Sequence, residues 1–117
     1  IAAALRYIRE HACEGITVAD VLHAVPLSRR MLEHRFLKLV RRPPHAEIIR
    51  IRMERGGRLL RETDLSLAEI ASRAGFADAN YLSVAFKKHT GQSPREYRAD
   101  SRSGPKQPLA SQRRREP

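Results

Sequence analysis

The chain has 117 residues, enough for one domain or for two very small ones on a shared connector. Its hydrophobic content is 41% with no Trp and 5% aromatics, so the core must be mostly Leu, Ile, Val and Ala. A formal charge of +10 favours a phosphate-bearing partner, and the single cysteine, Cys13, excludes an internal disulfide.

Taken in chain order, residues 1–13 read as a helix, with Ile1, Leu5, Ile8 and Ala12 as its apolar stripe. Gly15 is its stop. Thr17, with Asp20 three residues on, caps a second helix whose buried face is Val18, Val21, Leu22 and Val25. Pro26 ends it, because proline lacks an amide hydrogen and clashes with the preceding turn. Ser28 caps a third helix that buries Leu32, Phe36, Leu39 and Val40, and Pro43-Pro44 stops it.

Pro44 suits the first turn of a fourth, longer helix reaching about Arg61. Ile48, Ile49, Met53, Leu59 and Leu60 give it apolar contacts, while Arg50, Arg52, Arg55, Arg58 and Arg61 decorate it. Glu54 and Arg58 are spaced as an intrahelical pair. Gly56-Gly57 in its interior costs about 1 kcal/mol per Gly relative to Ala, and marks either a kink or a close helix approach.

Ser66 and Glu69 form a capping box for a fifth helix that buries Leu67, Ile70, Ala71 and Ala74 and ends at Gly75. Asp78 caps a sixth, which buries Leu82, Ala85 and Phe86 and closes at Gly91. Ser93, Pro94 and Glu96 open a short seventh helix, with Tyr97 packing back on the second half. From Ser101 onward periodicity is lost and Ser, Pro, Gln and Arg accumulate, which predicts a disordered basic tail. The tail carries five Lys/Arg and one Glu, leaving +6 on residues 1–100, so the folded part is basic in its own right.

The predicted fold is all-α: seven helices, with two helix-turn-helix subdomains joined by a long linker helix. The boundaries are 1–43 for the first subdomain, 44–62 for the linker, 63–100 for the second and 101–117 for the tail. The two subdomains repeat one pattern. Leu32 and Phe36 match Leu82 and Phe86 at an offset of 50, whereas Val18 to Leu22 match Leu67 to Ala71 at 49. The second turn therefore carries one extra residue.

In a helix-turn-helix the second helix enters the major groove with its N-terminal end nearest the bases. With Leu32 and Phe36 buried, Arg29, Arg30, Glu33 and His34 face outward in the first copy. Arginine pairs bidentately with guanine, and Glu33 either accepts from cytosine or orients an arginine. In the second copy Ala79, Asn80, Ser83 and Val84 face outward. Asn80 suits adenine, and Ala79 or Val84 a thymine methyl. Lys87 and Lys88 are phosphate ligands by type. Helix N-termini at Thr17, Ser28, Leu67 and Ser93 offer amides and a positive dipole end to phosphates.

No catalytic constellation is visible. The histidines at 11, 23, 34, 45 and 89 have no metal-ligand or triad spacing, so neither metal nor cofactor is expected. No run approaches the roughly 20 apolar residues of a membrane span, and no signal peptide is visible. The expected setting is cytoplasmic, with double-stranded DNA as partner. The chain begins inside a helical pattern without a Met, which reads as a fragment whose N-terminal effector or dimerisation domain is missing.

The run Leu67-Ala68-Glu69-Ile70-Ala71, Gly75-Phe76, Asn80-Tyr81-Leu82, Phe86-Lys87-Lys88, Gly91 and Ser93-Pro94-Arg95-Glu96-Tyr97-Arg98 resembles the AraC/XylS family of bacterial transcription regulators. The first copy and Arg52…Leu59-Leu60 fit as well, so the resemblance covers about residues 2–98. It implies a seven-helix domain binding two successive major-groove segments on one face of DNA, with RNA polymerase as a further partner. The stretch from His11-Ala12-Cys13 through Gly15-Ile16 to Leu32-Glu33 and Arg35-Phe36 is further similar to xylose-operon activators. Three positions depart from the family pattern. Arg41 stands where Gly is usual, Pro43-Pro44 where Ser-Pro is usual, and Gly56 where Ala is usual. They bear on the end of the third helix and on the stiffness of the connector.

Two other readings compete with sequence-specific DNA binding. A helical protein-interaction module would show no steep salt dependence and no sequence preference. A DNA-repair enzyme that borrows this domain would need chemistry that the lone Cys13 does not supply.

Overall fold

The computed structural model describes residues 1–102. Seven helices follow one another: α1 (Ala2–His11), α2 (Val18–Ala24), α3 (Arg29–Leu39), α4 (Pro44–Glu62), α5 (Leu67–Ala74), α6 (Ala79–Thr90) and α7 (Pro94–Arg102). A 3-10 turn, Ala12–Glu14, extends α1, and Gly15 closes it in the left-handed region at φ 82°. No strand occurs among the described residues.

Side-chain caps set the helix starts as the sequence predicts. Thr17 and Asp20 form a complete capping box on α2, with Thr17 N donating to Asp20 Oδ2 at 2.8 Å. Ser28 accepts from Met31 N on α3, and Asp78 from Tyr81 N on α6. Ser93 and Glu96 close a reciprocal box on α7. The box at α5 is only half made. Ser66 accepts from Glu69 N, but the Glu69 carboxylate turns to Arg73 Nε at 3.0 Å.

The apolar faces assemble two cores. The first joins Ala4, Ile8, Ala12, Val21, Val25, Leu32, Phe36 and Ile48. The second joins Leu60, Ile70, Ala71, Ala74, Phe76, Leu82, Ala85, Phe86 and Tyr97. Full burial of each Leu, Ile or Phe contributes about 1.5–3 kcal/mol. The long helix α4 serves both cores, through Ile48 near one end and Leu60 near the other. Tyr97 packs edge-on against Phe86, with ring centroids 5.0 Å apart, and accepts at its hydroxyl from Arg61 Nη1 at 2.7 Å.

Gly56 and Gly57 lie inside an unbroken α4, and their surroundings support the close-approach reading. A Cβ on Gly56 would meet Leu82 Cδ1 at 3.6 Å, and one on Gly57 would meet the Tyr97 hydroxyl at 3.4 Å.

Several expectations fail for identifiable reasons. Leu39 was expected in the core and is 63% exposed, because α3 ends there and Val40 turns inward instead. Arg52 was expected on the surface and is 7% exposed, since positions 48, 52, 56 and 60 form one buried stripe at helical spacing. Glu54 pairs with Arg50 at 3.1 Å rather than with Arg58. The tail was expected from Ser101, yet α7 includes Ser101 and Arg102. Ser101 Oγ donates to Tyr97 O at 2.8 Å, and Arg102 reaches Asp64 at 2.7 Å and the Thr63 carbonyl. The rest of the tail lies outside the described residues.

Arg41 accounts for one departure from the family pattern. Its φ is 71°, the left-handed region that a residue just past a helix end often adopts and that glycine enters most easily. The adjoining Arg42 and Arg50 clamp Glu47, which is fully buried, at 2.5 Å and 2.8 Å.

Candidate nucleic-acid interface

The second helix of each unit differs in its first turn from the two helices that flank it in the chain. The first turns of α2, α4, α5 and α7 contain Asp20, Glu47, Glu69 and Glu96, as the helix dipole prefers. The first turns of α3 and α6 contain no acid, as in α1, though Asp78 stands at the α6 N-cap. In α3 the opening residues are Arg29 and Arg30, both exposed, which works against the dipole by about 0.3–1 kcal/mol each. Two cations at the wrong end of a helix are a local cost that the fold itself does not require.

Around them stand the other residues expected in the first unit. Glu33 and His34 are exposed on the same helix, and Arg29 Nη1 lies 3.7 Å from Glu33 Oε2. Glu33 is therefore placed to orient an arginine. Arg30 and His34, four residues apart, share one side of α3.

In the second unit Asn80 is exposed, Val84 is 57% exposed, and Ala79 and Ser83 are half-buried. Ser83, Val84, Lys87, Lys88, Ser93 and Glu96 line one groove of about 510 Å³ between α6 and the start of α7. Five residues singled out from sequence thus converge on one surface. Glu96 joins them unforeseen, 4.0 Å from Lys87 Nζ. The Ser93 amide, which donates to it, does most to hold its carboxyl below the usual glutamate range, with Lys87 next.

Not every expected phosphate ligand has a free amide. The amides of Thr17 and Ser93 donate to Asp20 and Glu96. Ser28, exposed, caps α3 through its hydroxyl alone, and Leu67, half-buried, opens α5.

Cys13 is half-buried, and burial raises its thiol pKa despite nearby Arg55 and Arg52, which favours an unreactive thiol. Among the described residues no three His, Cys, Asp or Glu side chains are grouped to hold a metal ion. Nor is any described helix long and apolar enough to cross a membrane. The longest molecular dimension, 47 Å, exceeds the roughly 34 Å between successive turns of one groove.

Two helix-turn-helix units on one connecting helix, with exposed Arg29 and Arg30 opening the second helix of the first, define the DNA-binding domain of a transcription regulator. The family model described as a helix-turn-helix domain matches residues 21–100. The xylose operon regulatory protein of Escherichia coli K12 is 43% identical over 95 residues, 81% of this chain. A crystal structure of an AraC-type transcriptional regulator from Chromobacterium violaceum superposes with a TM-score of 0.76 at 26% identity, covering 89% of this chain and 93% of that one. The DNA-binding domain of the global transcriptional factor AdpA, solved with a target DNA, reaches a TM-score of 0.81 at 32% identity, covering 87% of this chain and 92% of that one. The chain belongs to the AraC/XylS family. It spans about a quarter, 24%, of the length of the xylose regulators it matches.

Proposed function

We propose that this chain is the DNA-reading part of a longer transcription activator, and that it recognises an asymmetric duplex site as a monomer. α3 and α6 enter two successive major-groove segments. Arg29 and Arg30 supply the dominant base contacts, with Glu33 and His34 beside them. Asn80 reads a second segment, with Ala79, Ser83 and Val84 completing its apolar and polar surface. Lys87, Lys88, Ser28 and Leu67 hold phosphates; Ser93 offers its hydroxyl rather than its amide, whereas both the amide and the hydroxyl of Thr17 donate to Asp20.

The observation that carries this reading is the exposed Arg29–Arg30 pair that opens α3 against its helix dipole, on a helix whose Leu32 and Phe36 are buried. A protein-interaction surface has no need of two cations at that end of a helix. RNA polymerase is a further partner of the whole protein, whose effector or dimerisation part lies outside this chain. A regulator of bacterial DNA acts in the cytoplasm, and it needs neither catalysis nor a cofactor in this domain.

Selection from a random duplex pool, followed by a salt titration on the winning site, tests the proposal. The expected result is a defined site of two blocks. Log affinity should fall linearly with log salt, at a slope of about −4 or steeper if four or more phosphates are neutralised. An unenriched pool with a flat salt response would leave the interaction-module reading in its place.

A further inference from the structure

The two units touch directly as well as through α4. Arg52, midway along α4, donates from Nε to the Ala12 carbonyl at 2.7 Å and from Nη2 to the Ile16 carbonyl at 2.6 Å. These carbonyls bracket the end of the 3-10 turn and the approach to the first helix-turn-helix. Gly75, at the end of α5, presses on the same turn from the second unit. A Cβ there would stand 2.8 Å from Ala12 O and Cys13 Cα and 2.9 Å from Cys13 C, and its φ is 94°. The turn is held between a guanidinium from the connector and a position where only hydrogen fits.

This brace does something that α4 alone does not. Ile48 and Leu60, which bind α4 to the two cores, are about 18 Å apart along the helix at 1.5 Å per residue. A unit attached near one end of such a rod could pivot. Charge-assisted hydrogen bonds to a buried and a part-buried carbonyl, together with the close backbone approach at Gly75, oppose that pivot.

We infer that Arg52 and Gly75 are positioning residues that set the half-site spacing this domain accepts, by fixing α3 relative to α6. The inference rests on the two-reader reading above. One inserted base pair moves the second half-site by about 3.4 Å and rotates it by about 35°. Hydrogen bonds tolerate only a few tenths of an ångström, so a braced domain must lose contacts or deform the DNA. A domain with the brace removed can follow the displaced site.

The test uses the 117-residue chain and the duplex it selects from a random pool, together with versions carrying one base pair inserted or deleted between the two blocks. Wild-type affinity should fall at least about tenfold on either altered duplex, the scale of one lost base contact. For Arg52→Ala the same change should cost no more than about threefold, with intact helix content by circular dichroism. Arg52→Lys, which can reach one carbonyl but not both, should fall between, and it carries the comparison if the alanine variant does not fold. A merely structural arginine would weaken binding to all spacings by one factor, and that unchanged ratio overturns the inference. Wild-type protein that selects a site but ignores its spacing also overturns it, while leaving the DNA-binding reading intact. If no site is selected, both fail together.

Discussion

Gly56 of α4 faces Leu82 of α6 at ordinary contact distance: a methyl group added to the glycine would sit 3.6 Å from Leu82 Cδ1. Its next neighbours, Phe76 Cε2 and Ala74 Cβ, stand at 3.8 Å and 4.0 Å. The space at Gly56 is that of an alanine, the residue usual there in the family. Gly56→Ala should therefore stabilise the domain by about 1 kcal/mol, through helix propensity and added contacts. Urea unfolding checks this; an unchanged or lower midpoint would mean that the connector needs the looser residue.

Arg41→Gly should also stabilise, by about 0.5–1 kcal/mol. The left-handed φ of 71° strains a residue with a Cβ, and the gain is partly offset by the greater freedom of glycine in the unfolded chain. Thermal unfolding at neutral pH would record a rise of a few degrees. A fall would show that the Arg41 side chain contributes more than its backbone costs.

Acid sensitivity should depend on Glu47. Hydrogen bonds from Arg50 do most to hold its carboxyl below the usual glutamate range, against the opposing effect of burial, and Arg42 adds to them. A depressed folded pKa contributes stability that is fully present above the unfolded value, about 4.3. That stability is lost as pH falls through the lower folded value. Glu47→Gln should cost about 1–2 kcal/mol at pH 7, less than for a wholly buried pair because both arginines stay half-exposed. Its stability should then decline less steeply than that of wild type between pH 5 and pH 2. Parallel curves from denaturant titrations at each pH would exclude the coupling.

Arg30→Ala and Lys88→Ala should separate reading from gripping. The first should cost about 1–3 kcal/mol and relax preference in one block of the site. The second should weaken binding alike on all sequences and reduce the salt slope by about 1. Repeating the selection with each variant gives the comparison. An Arg30→Ala variant that selects the wild-type site unchanged would remove Arg30 from the base contacts.

The helix order was legible because its punctuation is local. Thr17, Ser28, Asp78 and Ser93 each bond an amide three residues away, and Gly15, Gly75 and Gly91 each take the left-handed stop. The candidate reading residues were legible because Leu32, Phe36, Leu82 and Phe86 fix which side of each helix is buried. What escaped was tertiary. Arg52 looked like four neighbouring arginines, and only its place on the Ile48–Gly56–Leu60 stripe distinguishes it. The partners it finds, Ala12 and Ile16, are 36–40 residues away and are backbone groups with no side-chain signature. Glu47 had a visible partner in Arg50 at helical spacing, but nothing local announced that Arg42 would close over it from the preceding loop.

The sharing of α4 between the cores has a consequence for how the domain comes apart. Ile48 is a wall of one core and Leu60 a wall of the other, so neither unit retains a complete interior once the connector melts. The tandem arrangement should thus unfold as one cooperative unit, in a single denaturant transition. Unwinding of α4 should therefore silence both readers in a single step, rather than leave a working half.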